Sequence, residues 1–316
     1  MKRNIRYRKI GYLFLGAAMA CLLAGCSSDH KSEAEDEAPR VAAILSGNDM
    51  NRATDFWDEV WGGVRDGAQA EGIALSEYTL DTLNSTVERV KLASAAKVDG
   101  MILAVSDGED QELLALLKEV RDAGIKIVVA DTDIGETYYD AFVGIDNDAA
   151  GEQLAAYLCE HWESGEKILV LDVNASEAVA QRKNSFLTYL EQRGMEEAIE
   201  QLLLNDETEA RVLEIQHALE AMDGVKWVVS FDPSCTLQSA EALDRMGISP
   251  DVSLIGFGES DTVQEYLENQ VIQALFEQDN YDMGYLAVEK MEELLNGSQI
   301  GEKQSYVETV LRTGQE

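Results

Sequence analysis

Residues Thr54 to Val64 read TDFWDEVWGGV, which sets an acid, Asp55, directly against two large aromatics, Phe56 and Trp57, ahead of a helical pattern. Side chains of these types have two uses in such a place. They can bury the first turn of a helix, or they can form a platform that stacks on a small ligand beside a hydrogen-bonding carboxylate. Polar side chains follow other apolar runs in the same way: Ser46, Asp131 with Thr132, Asp232, Glu259 with Asp261, and Gln278. Each offers hydrogen-bonding groups where a run ends. An acid in that position can also be no more than the N-cap of the following helix.

Other kinds of chemistry lack their residues. GFGESD (256–261) begins like a dinucleotide fingerprint but has no third glycine. DVNASE (172–177) opens like a calcium loop, yet Glu177 stands where the turn glycine belongs and Lys183 where the closing glutamate belongs. His30, His161 and His217 lie on an acidic leader stretch and on two separate helical patterns, so they form neither a zinc set nor a catalytic one. With no nucleophile elbow and no phosphate-binding glycine-lysine loop, enzymatic function has no positive support, and no cofactor or metal is expected.

The elements that must position these residues alternate regularly. RVAAILS (40–46) precedes a helical pattern through Phe56, Val60, Val64 and Ala68. Runs at 74–80, 100–105, 126–130 and 141–145 follow, separated by helical patterns at 86–96 and 110–124. The alternation then restarts, with runs at 167–173, 199–204, 227–231, 252–258, 271–276 and 305–313. Helical stretches at 148–160, 177–193, 207–222, 234–246 and 281–295 lie among them, with a short one between 258 and 271. Strands alternating with helices of this length indicate βαβ units. Strands that are apolar throughout indicate a parallel sheet buried on both faces. The expectation is an α/β protein of two successive sandwiches, with ligand held beyond the carboxyl ends of the strands.

The amino terminus stands apart. Lys2, Arg3, Arg6, Arg8 and Lys9 precede an uncharged stretch from Ile10 to Gly25, shorter than the about 20 residues a bilayer-spanning helix needs and suited to a secretory signal. The stretch ends in LAGC, which resembles the cleavage site of bacterial lipoproteins and implies removal of residues 1–25 with lipidation of Cys26. Residues 26–39 are then an acidic tether, and the mature protein is expected outside the cytoplasmic membrane, held to it by lipid. The formal charge of −35 falls to −40 once the five basic groups of the signal are lost. Such a field repels DNA and RNA, so no nucleic-acid partner is expected. Of the four cysteines, Cys159 and Cys235 remain in the folded part and are read as free thiols.

From Arg40 onward the chain resembles the type I periplasmic binding proteins, especially bacterial sugar-binding proteins of the ribose-binding kind. The resemblance rests on DFWDEVWGGVRDGAQAEG, VDGMILAV, AGIKIVVADTD, VGIDNDAAGEQLAAYL, VSLIGFG and NYDMGYLAVEKM. Lactose-repressor-type regulators share that fold but carry a DNA-binding segment where this chain has its signal. The resemblance implies two Rossmann-like doubly wound parallel-sheet domains joined by a three-strand hinge. The first lobe takes 40–145 plus 279–303, and the second takes 146–278 plus 304–316, with GIDN (144–147) and EQDN (277–280) at the hinge.

Carried over residue by residue, the resemblance places Thr54, Asp55, Phe56 and Trp57 where the family has Asn-Pro and two aromatics. An aromatic face suits the C–H surface of a sugar, and polar groups suit its hydroxyls. Trp61, one turn further on, is assigned to the core. Asp131 matches a family aspartate, Thr132 replaces the arginine that often follows it, and Arg182 matches a second family arginine. Asp232 stands where asparagine is common, and Gln278 matches a glutamine near the hinge. Gly258 occupies the position of another family aspartate, with Glu259 the nearest substitute. The implied function is a monomeric solute-binding lipoprotein that passes a small neutral sugar or related polyhydroxylated ligand to an ABC permease. The alternative is a sensor that reports to a membrane receptor or histidine kinase.

Overall fold

The computed structural model describes residues 38–46, 56–80, 85–105, 110–173, 176–205, 208–249, 251–258, 260–298 and 300–314. The signal stretch and Cys26 lie outside the described residues. Strand β1 (Arg40–Ser46) leads to helix α1 (Phe56–Ala70), then β2 (Ala74–Leu80), α2 (Thr86–Ala95), β3 (Gly100–Ala104), α3 (Gln111–Asp122), β4 (Lys126–Ala130) and β5 (Ala141–Gly144). The second series runs α4 (Asn147–His161), β6 (Lys167–Asp172), α5 (Glu177–Glu191), β7 (Ile199–Leu203), α6 (Thr208–Ala221), β8 (Val225–Val229) and α7 (Pro233–Met246). It continues through β9 (Ser253–Phe257), α8 (Asp261–Glu268), β10 (Ile272–Gln278), α9 (Asn280–Leu295), β11 (Gln304–Tyr306) and β12 (Thr309–Thr313).

Among the described residues the strands form two six-stranded sheets, ordered β2-β1-β3-β4-β5-β11 and β7-β6-β8-β9-β10-β12. Every pairing is parallel except that of β12 with β10. The two-residue period of a strand divides each sheet between two apolar layers. Ala42, Ile44, Met101, Leu103, Ile127 and Val129 face one side of the first sheet, while Ala43, Leu45, Ile102 and Val128 face the other. Burial on both faces explains why β3 and β4 read as unbroken apolar runs. Helix α3 shows how the covering elements are specified. Asp110 caps it by accepting from the N–H groups of Glu112 and Leu113, and Leu113, Leu114, Leu117 and Val120 form its buried stripe.

The chain passes between the sheets after β5, after β10 and between β11 and β12. On the first crossing α4 packs against α5, and on the second α9 returns to pack against α1. Both helix pairs are close enough to need glycine. A Cβ on Gly151 would stand 2.2 Å from the Arg182 carbonyl oxygen, and one on Gly284 would stand 2.0 Å from that of Val60.

The end of the chain corrects one expectation. Residues 305–313 are not one strand, and the segment 304–316 does not belong wholly to the second lobe. Gln304–Tyr306 pair with β5 in the first sheet, whereas Thr309–Thr313 pair with β10 in the second. Between them Val307 donates to the Gly144 carbonyl, and Glu308 accepts from the Asp279 N–H. The apolar pattern of this stretch is compatible with either sheet edge. Periodicity alone therefore could not locate the handover.

Candidate functional site

The carboxyl ends of the strands carry a compact group of charges. Asp131 follows β4 with φ +72, a left-handed backbone that non-glycine residues rarely adopt. Its N–H donates to the Val143 carbonyl at 3.0 Å, and its Oδ2 accepts from the Thr132 hydroxyl at 3.1 Å. Thr132 itself is buried. Burial pushes the Asp131 carboxyl above the usual carboxylate range, against the opposing pull of the Arg182 charge and the Thr132 hydrogen bond.

Arg182 lies on α5, on the second lobe, and is only 5% exposed. Its Nε donates to Asn147 Oδ1 at 2.6 Å and its Nη1 donates to the Phe231 carbonyl at 3.1 Å. The guanidinium carbon stands 4.7 Å from the centre of the Phe257 ring, a cation–π contact. Burial lowers its pKa while Asp131 and Asp232 raise it, and a guanidinium stays charged under such influences. An N–H-rich cation is thus set between acids contributed by both sheets.

Asp232, after β8, is an N-cap: its Oδ1 accepts from the Cys235 N–H at 2.9 Å at the start of α7. Capping and the field it exerts on Arg182 coexist, because one carboxylate has two oxygens. Phe56 and Trp57 form the first turn of α1 with rings edge to face, 4.7 Å between centres. Both are half-buried against the core. Trp61 is 4% exposed, and its indole N–H donates to the Ser46 carbonyl at 3.0 Å. Thr54, Asp55 and Glu259 lie outside the described residues.

Gln278 belongs to a second network. It donates to Asn280 Oδ1 at 2.9 Å, and Asn280 donates to Glu59 Oε2 at 2.8 Å. These three line a depression of about 180 Å³ together with Tyr281, Glu308 and Arg312. The structure therefore groups Asp131, Thr132, Arg182 and Asp232 electrostatically, and links Gln278 instead to α1 through Asn280. Sequence reasoning missed Asn147, Asn280, Phe257 and Glu59. The repeated Asp-Asn pair at 146–147 and 279–280 was the signal available for the two asparagines. Among the described residues no group of His, Cys, Asp and Glu is placed to hold a metal ion. Cys159 and Cys235 are free, and burial pushes the Cys235 thiol up to about 12.

Residues 50–299 match the sequence profile of the periplasmic binding protein domain. The chain belongs to that family. The fold of this periplasmic binding protein is that of the type I members: two parallel-dominated sheets with flanking helices. Similar solved structures include GanP, a glucose-galactose binding protein from Geobacillus stearothermophilus, at 22% identity with TM-score 0.76 over 89% of this chain and 99% of that one. A putative LacI transcriptional regulator from Bacteroides fragilis is similar at 18% identity, TM-score 0.77, over 88% and 98%. A carbohydrate transporter solute binding protein from Agrobacterium radiobacter, in complex with D-arabinose, is similar at 16% identity, TM-score 0.74, over 88% and 95%. These likenesses concern the fold. No curated protein sequence matches the chain. Family membership makes the protein extracytoplasmic, and among the described residues no helix is long and apolar enough to cross a membrane.

Proposed function

We propose that this periplasmic binding protein captures a small neutral sugar, or a related polyhydroxylated compound, between its two lobes and delivers it to an ABC permease. The observation that carries this reading is the opposition of Asp131 on the first lobe to Arg182 on the second. A carboxylate accepts from vicinal hydroxyls and a guanidinium donates to ring or hydroxyl oxygens, so one polyhydroxylated molecule satisfies both. Trp57 or Phe56 supplies the apolar face on which the C–H surface of a ring rests. Thr132, Asp232 and Gln278 add further polar contacts in this reading, and Thr54, Asp55 and Glu259 are assigned to the same ligand from the sequence. Sugar-binding descriptions among the structural relatives support the same class, since GanP is a glucose-galactose binding protein and the A. radiobacter protein holds D-arabinose.

Charge sets the ligand class further. Asp131 and Asp232 outnumber the one cation between them. An anionic ligand would meet repulsion that a low local dielectric makes stronger. The chain is read as a lipoprotein, cleaved before Cys26 and held at the membrane through that residue. A thermal-shift screen against sugars, polyols, nucleosides, sugar phosphates and dicarboxylates, followed by calorimetric titration, tests the class. A neutral polyhydroxylated compound should bind most tightly; a sugar phosphate or dicarboxylate as the tightest ligand would overturn the reading.

A further inference from the structure

Both helices that begin at a lobe crossing open with the same pattern, Asp-Asn-x-x-x-Gly: Asp146, Asn147 and Gly151 on α4, and Asp279, Asn280 and Gly284 on α9. In each the Asp is the cap, Asp146 accepting from Ala149 N–H at 3.0 Å and Asp279 from Asp282 N–H at 2.8 Å. In each the Gly brings the helix onto a backbone carbonyl of its neighbour, that of Arg182 or of Val60. In each the Asn is buried and grips a charged side chain of that neighbour. Asn147 accepts from Arg182, and Asn280 donates to Glu59. The same local device thus holds a cation in one lobe and an anion in the other.

We infer that Asn147 is a positioning residue of the cleft, acting through Arg182 to present the guanidinium to a bound sugar; this rests on the sugar-binding reading above. An arginine side chain has many rotamers, and this one is fixed at three points: Asn147, the Phe231 carbonyl and the Phe257 ring. A guanidinium only donates, so it is the oxygen of Asn147 that meets Nε. Nη2 has no protein acceptor among the described residues, so its two N–H groups are left for a ligand. Asp131 and Asp232 both attract the same cation. Without Asn147 the guanidinium is free to swing toward either acid, which withdraws its donors from the ligand. An amide suits this role better than a carboxylate would. It holds the group without neutralising its charge.

Two measurements test this on the full chain. In the sugar-free protein, hydrogen exchange at the Arg182 Nε–H, followed by NMR, should be slow and should quicken at least about tenfold in Asn147→Ala, as loss of a buried hydrogen bond requires. Unchanged protection overturns the inference. D-glucose, D-galactose, D-arabinose and D-tagatose are then ranked by thermal shift, and the best is titrated into Asn147→Ala, Arg182→Ala and the double variant. Each single change should weaken binding about tenfold, and the double variant should bind no worse than Arg182→Ala, because Asn147 acts only through Arg182. Additive losses, or a neutral Asn147→Ala beside a weakened Arg182→Ala, overturn the inference alone. A neutral Arg182→Ala overturns the binding-site reading and the inference together. Should none of the four sugars bind, the exchange measurement decides. Asn147→Ser, which keeps a good helix-start residue but falls short of Nε, takes the place of Asn147→Ala if that variant does not fold.

Discussion

Asp131 and Arg182 hold opposite charges toward each other from different lobes, and no ion pair joins them among the described residues. Each is buried enough for its pKa to be displaced against its charged form, yet each is left with hydrogen-bonding capacity. A ligand that bridges them gains from both and draws the lobes together. Removing one partner of a charge-assisted hydrogen bond costs about 1.5–3 kcal/mol, or roughly 10- to 150-fold in affinity. Asp131→Ala should therefore weaken sugar binding by at least the lower figure while circular dichroism stays unchanged. Wild-type affinity in this variant would place the cleft elsewhere.

The same burial predicts a pH effect on stability. The folded-state pKa of Asp131 is raised above its ordinary value of 3.8, so the folded state holds the proton more tightly than the unfolded one. Its contribution to stability is greatest below the unfolded pKa and declines as pH rises through the folded pKa. Asp131→Asn removes that decline. In the absence of sugar the variant should be at least as stable as wild type at neutral pH, and its advantage should shrink as pH falls toward 3.8. Thermal melts across that range check it. An advantage that grows on acidification contradicts the sign.

The alternation of elements was legible because burial on both faces leaves its mark in composition: β3 and β4 lie within the apolar runs that indicated them. Strand ends were legible too, which is how Asp131 and Asp232 came into view. The burial of Arg182 was not. AQRKNSF has the polar look of a solvated helix face, and what buries its arginine is Asn147, Phe231 and Phe257, all distant in sequence. The split of the last strand was hidden for the same reason. Its two halves pair with β5 and β10, and pairing partners leave no trace in local periodicity.

Gly284 makes the α1–α9 contact sensitive to one methyl group. With the Val60 carbonyl oxygen 2.0 Å from a built Cβ, Gly284→Ala forces backbone apart rather than a flexible side chain. Overpacking of this kind costs about 1–3 kcal/mol. Urea denaturation should show an unfolding free energy lower by that amount, with Gly72→Ala, where nothing lies within 4 Å but φ is +66, as a comparison for backbone strain alone. Equal stability of Gly284→Ala and wild type would contradict the close packing.

Anchoring through Cys26 predicts a specific failure. Cys26→Ala removes the thiol proposed to carry lipid, so cell fractionation should find the protein released or retained as a precursor that still carries residues 1–25. Mass spectrometry distinguishes the two. Wild-type processing and membrane association in this variant would remove the case for lipidation.

Trp57 offers the most direct optical test. The chain has four tryptophans. Trp61 donates to the Ser46 carbonyl at 3.0 Å, Trp162 to the Glu166 carbonyl at 3.1 Å and Trp227 to Glu166 Oε2 at 2.9 Å. Trp61 and Trp227 are buried and Trp162 is half-buried, each with its indole N–H bonded within the chain, whereas Trp57 stands half-buried at the first turn of α1 with its edge-to-face partner Phe56. Stacking on a sugar would move the Trp57 indole from a partly wet setting to a dry one. Addition of a binding sugar should therefore shift tryptophan emission, and Trp57→Phe should abolish the shift. Trp57→Ala should also weaken binding about tenfold or more, since an aromatic platform contributes area and ring contact together. Trp61→Phe should lower stability by about 0.5–1.5 kcal/mol through its lost hydrogen bond and leave affinity nearly unchanged. If the emission shift survives in Trp57→Phe and Trp57→Ala binds like wild type, TDFWDEVWGGV is a buried helix start and nothing more.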